Sequence, residues 1–150
     1  MNYDRRFKAN GIERPAPAGD DHAIGVTSVY DAAKAPDPKS WLDLGEHERI
    51  FLVEDFYRQA RIELPKLKVH AVIHAVVENQ IASKLEPVLR AMERLGREGL
   101  SRHDAVHAVG SVVAEHLFDL MQPTTNDDAA TRYNAAVERL TAATWRSGQN

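Results

Sequence analysis

The chain has 150 residues, 43% hydrophobic and 27% charged, with a formal net charge of −3. That length suits one ordinary domain with a real core, and the near-neutral balance supplies no broad basic field, so nucleic acid is not an expected partner. Cysteine is absent, which excludes disulfides and thiolate sites and leaves nitrogen and oxygen ligands for any metal.

The N-terminal stretch Met1 to Arg6 leads into no apolar run of signal-peptide type, and no segment approaches transmembrane length. A cytoplasmic protein without membrane association is expected. Residues 1–40 read as an extended arm, disordered or packed across the rest, because Pro15, Pro17, Gly19, Pro36 and Pro38 interrupt any regular pattern. Ala23 to Tyr30 has the composition of a short strand, although a lone strand has nothing to pair with except a second copy.

Residues 41–150 read as a helical domain. Leu44 to Ile62 places Ile50, Val53, Tyr57 and Ala60 at helical spacing, with Glu46, Glu48, Glu54, Asp55 and Arg58 mostly on another face. Leu64-Pro65 ends that helix and starts the next, since proline suits a first helical turn. The following pattern runs from Lys66 to about Ser83, breaks near Pro87, and resumes through Leu89, Met92 and Leu95 to a stop between Gly96 and Gly99. Ser101-Arg102-His103-Asp104 is a capping-box signature for a helix that continues to about Met121, with Pro123 beyond it. Asn126-Asp127-Asp128 opens a last helix with Tyr133, Val137, Leu140 and Thr144 as its apolar positions and Trp145 near its end. The expected fold is all-α, an antiparallel bundle of four to five helices with an extended N-terminal arm.

Chemistry concentrates in two of these helices. His70-Ala-Val-Ile-His74 and His103-Asp-Ala-Val-His107 each carry two histidines four residues apart, so each pair projects from one helix face a turn apart. Two such imidazoles can hold one metal ion, and facing pairs could supply four ligands. His103 and His107 fall on the stripe of Val106, Gly110, Ala114, Leu117, Phe118 and Met121, the face this helix is expected to bury. His70 and His74 share a side with Leu67, Val77, Ile81 and Leu85, while Val69, Val72 and Val76 form a second apolar side and Ala71, Ala75 and Ala82 a small-residue side. A helix with so few polar positions belongs at the centre of the bundle.

Imidazoles directed into one core need partners, since an unsatisfied buried polar group costs about 1–3 kcal/mol. A metal ion satisfies them, and so do mutual hydrogen bonds with carboxylates, backbone carbonyls and water. Glu78, one turn beyond His74, reads as a ligand or as an acceptor supporting one. Gly110, one turn beyond His107, permits a close helix approach or leaves space for a ligand. His103 lies in the first helical turn, where the positive dipole end favours the neutral, ligand-competent imidazole. Asp104 and Glu115 flank the second pair at wider angles.

Sharper motifs are missing. The sequence holds no H-E-x-x-H, no Glu-x-x-His, no Walker loop and no G-x-G-x-x-G, and Ser101 and Ser111 have no nucleophile elbow around them. His22 belongs to the arm, His47 sits among charges, and His116 points nearly opposite His107. Arg94, Arg97 and Glu98 read as a solvated face, and Trp41, Phe51, Phe56 and Tyr57 as packing residues.

At Leu64-Pro65, His70-Ala-Val-Ile-His74 with Gln80, Gly99-Leu-Ser-Arg-His103-Asp-Ala-Val-His107-Ala-Val-Gly110 and Ala114-Glu115-His116, the chain resembles a bacterial family catalogued as domain of unknown function 1841, together with its longer alphaproteobacterial relatives. The resemblance runs roughly from Glu46 to Met121 and implies a helical fold with a histidine-rich core. It supplies no reaction.

Two functions follow. The first is a metal-binding protein, with a metal-dependent hydrolase as its catalytic form, whose ligands are His70, His74, His103 and His107 with Glu78 as ligand or base. Zinc fits such imidazoles best, and iron, manganese or nickel also accept a nitrogen-rich site. Four histidines closing a tetrahedral shell would be structural, whereas three with an open position would allow an activated water. The second is a non-catalytic homo-oligomeric or partner-binding module with a metal-free histidine core, dimerising through an apolar helix face, such as the stripe of Ala71 and Ala75, or through the arm. A pH-sensing switch built on buried histidines is a third reading without separate support in the sequence.

Overall fold

The run Leu67–Ala82 is apolar on most of its circumference, so no face of it can be left to water without cost. The computed structural model, which describes residues 29–121 and 127–149, places this helix in the middle. Among the described residues seven helices form: α1 (Pro38–Asp43), α2 (Glu46–Gln59), α3 (Leu67–Ala82), α4 (Glu86–Arg97), α5 (Arg102–Met121), α6 (Asp127–Arg139) and α7 (Ala142–Ser147). The all-α expectation is met, with α2 to α6 as the longer helices of the bundle and α1 and α7 as added six-residue pieces. No strand occurs among the described residues, and positions 23–28 of the candidate strand lie outside them.

Helix α3 packs against α1, α2, α4 and α5, and it separates the core into two apolar clusters. On one side Ile73 and Val77 join Val88, Ala91 and Leu95 of α4, Val106 and Val109 of α5, and Tyr133 and Val137 of α6. On the other side Ala71, Ala75 and Ala82 pack with Val53 and Tyr57 of α2, Trp41 of α1, and Tyr30 and Ala32 of the preceding segment. At 100° per residue, positions 70, 74 and 78 fall between these two faces. The polar row His70, His74 and Glu78 therefore runs along the seam between the clusters.

Several expectations are corrected by the packing. The stripe of Ala71 and Ala75 is buried by the chain's own α2 side, so it offers no dimer surface. The segment before α1 is docked where it is described, with Tyr30 and Ala32 buried. Phe118 and Met121, assigned to the buried face of α5, lie exposed at its end, and Phe51 is exposed on α2. Pro65 precedes α3 rather than entering it; the helix starts after Lys66, which adopts a left-handed conformation (φ 57°).

The expected last helix is two helices. Thr141 breaks it, because its hydroxyl accepts the Thr144 N–H while the Thr144 hydroxyl accepts the Thr141 N–H, a reciprocal cap that starts α7. The corner is held from α4. The Arg94 guanidinium donates to the Val137 and Leu140 carbonyls at the end of α6, and the Glu98 carboxylate accepts the Ala142 N–H at 2.6 Å. Arg94 and Glu98 thus cap helices, while Arg97 and Glu98 are exposed as the solvated-face reading expects. Ser101 caps α5 as anticipated, its hydroxyl accepting the Asp104 N–H.

At Gly110, α5 packs tightly against Ile73 and Val77 of α3. A Cβ there would lie 3.2 Å from Ile73 Cγ2, tighter than ordinary contact, and buried, β-branched Ile73 has little room to yield. Of the two sequence-based readings, close helix approach is the one realised. At an exposed helical site Gly→Ala gains about 1 kcal/mol, but here overpacking should reverse the sign. Gly110→Ala is expected to lower stability by ~1 kcal/mol in urea unfolding, and adding Ile73→Ala should cost less than the sum of the single changes.

Candidate metal centre

Four helical turns from two helices, plus one from a third, aim side chains at a single point. Helix α3 contributes His70 and His74, α5 contributes His103 and His107, and α2 contributes Tyr57. One nitrogen from each of His70, His74 and His107 lies within 4.8 Å of the others, and all three residues are buried. His103 stands beside them, its ring centroid 4.4 Å from that of His107, and is the imidazole nearest to solvent.

The Tyr57 hydroxyl sits among the rings. Its oxygen is 2.8 Å from Nε2 of His70, of His103 and of His107, and 3.3 Å from Nδ1 of His74. A phenol donates one hydrogen and accepts at two lone pairs, so it can pair with three ring nitrogens at most. Four nitrogens converging on it exceed that capacity.

A second polar layer fixes His74. Tyr30 Oη lies 2.6 Å from His74 Nε2 and donates its proton to Glu78 Oε1 at 2.5 Å. Having donated there, Tyr30 accepts from His74, which places the His74 proton on Nε2 and leaves Nδ1 as the unprotonated nitrogen facing Tyr57. Burial, and then the Glu78 carboxylate, push the Tyr30 phenol well above its ordinary value, so it stays a donor. Arg102 completes the layer by donating both Nη atoms to the two Glu78 oxygens at 2.8 Å, and Nη1 also reaches the Ala32 carbonyl.

The imidazoles are held neutral. Burial, reinforced by the neighbouring His103, lowers His70 to about 4, and burial with the Arg102 charge lowers His103 to about 4. His74 and His107 fall well below the ordinary value, first through burial and then through the other imidazoles. Neutral imidazole is the form that binds a metal.

The structure gathers His70, His74, His103 and His107 and sets Glu78 one layer outward, both of its oxygens occupied by Tyr30 and Arg102. Asp104 and Glu115 stay outside the group, Glu115 on the surface. His116 contacts the Val112 carbonyl and the Tyr133 ring, His47 is exposed, and His22 lies outside the described residues. Sequence reasoning missed Tyr57, Tyr30 and Arg102. A tyrosine on the buried stripe of α2 was the available signal, because its hydroxyl must find a partner inside; Arg102, adjacent to His103, carried none.

Two outcomes follow from these contacts. Glu78→Ala leaves the Arg102 charge buried and unpaired, so urea unfolding should show a loss of ~3–5 kcal/mol, against ~1–3 kcal/mol for Tyr30→Phe. In chelator-treated protein, unfolded His70 and His103 take protons near 6.5 while their native counterparts stay neutral to about 4. Their contribution is then complete above pH 6.5 and is lost as the pH falls from 6.5 to 4. Each adds ~1.4 kcal/mol per pH unit to the slope in that window. Urea midpoints measured across the window should fall, and less steeply in His103→Ala.

No helix among the described residues is long and apolar enough to cross a membrane. No family model matches the chain, and no curated protein or solved structure matches it either.

Proposed function

We propose that this chain is a metal-binding protein in which His70, His74 and His107 hold the ion, His103 adds a fourth nitrogen, and Glu78 supports the set through Tyr30. The observation that carries this reading is the convergence of one ring nitrogen from each of buried His70, His74 and His107 within 4.8 Å of one another. A cation placed among them accepts several lone pairs at once. The Tyr30–Glu78–Arg102 chain supports it further, because metal-ligating histidines characteristically pass their second nitrogen to a polar partner that fixes the tautomer. The imidazoles alone suit zinc as well as iron, manganese or nickel. A metal-dependent hydrolase is the catalytic form of the reading, with the ion reached from the His103 side. We further infer kinship with the family of domain of unknown function 1841, on the histidine segments that suggested it.

One observation favours a second reading, a metal-free polar core in a partner-binding module: the Tyr57 hydroxyl already gives three of the imidazoles a hydrogen-bonding partner at 2.8 Å. Elemental mass spectrometry on tag-free protein separates the two. Stoichiometric metal in the wild-type chain, lost in a folded His70→Ala/His107→Ala variant, is the expected result. Protein that holds no metal after incubation with zinc, iron or manganese, and that tolerates His→Gln at these positions, belongs to the second reading.

A further inference from the structure

The donor set around the histidines includes an oxygen that zinc would not need. We infer that Tyr57 is itself a ligand, binding through its phenolate oxygen beside the imidazoles, and that the ion this site selects is ferric iron. This rests on the metal reading above and adds the identity of the ion. Tyr57 is fully buried, and its oxygen lies as close to three Nε2 atoms as those atoms could share a common partner. Any ion bound by these nitrogens has that oxygen within reach.

Coordination number and the hardness of the oxygen donor both point the same way. Zinc in a structural site is satisfied by four ligands in a tetrahedron, whereas four imidazoles and a phenol offer five donors. An octahedral ion accepts all of them and keeps one position open. The histidine group assembled by the described residues contains no carboxylate, and Glu78 is neutralised by Arg102. Bound as a phenolate, Tyr57 would bring a negative charge to these neutral imidazoles, and its oxygen faces all four rings. A phenolate is a hard oxygen donor, and with imidazole nitrogens it matches a trivalent iron better than the softer, lower-charged zinc. On binding, the Tyr57 O–H bond breaks, the oxygen keeps its electron pair and donates a lone pair to the iron, and the proton leaves to the buffer. Iron supplied as Fe(III) changes oxidation state at no point.

The test uses the full tag-free chain loaded with ferric nitrilotriacetate, beside a parallel sample loaded with zinc. Wild-type protein should take up the iron and acquire a visible phenolate-to-iron charge-transfer band. Tyr57→Phe should lose the band yet retain zinc, while Tyr30→Phe keeps the band because Tyr30 lies one layer outward. Resonance Raman spectra of wild-type protein carrying ring-deuterated tyrosine show whether the band arises from a tyrosinate: shifted modes support the inference, and the Tyr57→Phe and Tyr30→Phe variants assign them to one residue. Iron bound without a visible band, or a band that survives in folded Tyr57→Phe, overturns it while leaving the metal reading intact. Wild-type protein that binds neither iron nor zinc overturns both.

Discussion

His70, His74 and Glu78 lie along one line of α3 between two apolar clusters, and burying that line requires polar partners from the elements that cover it. Helix α2 answers with Tyr57, α5 with Arg102, His103 and His107, and the segment before α1 with Tyr30. The remaining architecture is arranged around that demand. Helix α5 must come close enough for its histidines to reach the seam, and Gly110, a turn beyond His107, is what lets it approach Ile73. Helix α4 and the corner of α6 and α7 complete the apolar cluster on the far side.

The polar row has two chemically different halves. Toward His70 it consists of neutral imidazoles around one phenol, a region with no formal charge of its own. Toward Glu78 it is ionic, with a carboxylate and a guanidinium in a two-point contact. Tyr30 joins the halves and passes the orientation of the charged pair to His74. A carboxylate beside the imidazoles would raise their proton affinity; held one residue away, it orients a ring and leaves the cluster unprotonated.

How much of this was legible in the sequence depended on whether the signal was local. The spacing of His70, His74, His103 and His107 fixes which faces they share, so their inward direction followed from periodicity alone. The extra break at Thr141 was also written locally, in threonines three residues apart, but lay inside a pattern that continues apolar through Leu140 and was read over. Tyr57, Tyr30 and Arg102 reach the site from separate elements, across 13 residues for Tyr57 to His70 and 48 for Tyr30 to Glu78, and such pairings are set by tertiary packing. The capping roles of Arg94 and Glu98 are hidden for the same reason: their partners are backbone groups offered only where α6 ends beside α4.

Arg102 holds Glu78 with both Nη atoms and the Ala32 carbonyl with Nη1, so the segment around Tyr30 and Ala32 and the histidine cluster share an anchor besides Tyr30 itself. Docking of that segment and the readiness of His74 to give up a lone pair are therefore linked quantities. By thermodynamic reciprocity, whatever grips the histidine nitrogens also tightens the docked segment, and whatever lifts the segment loosens the grip by the same factor. Tyr30, in contact with both His74 and Glu78, is the point where the stretch leading into the first helix meets the cluster.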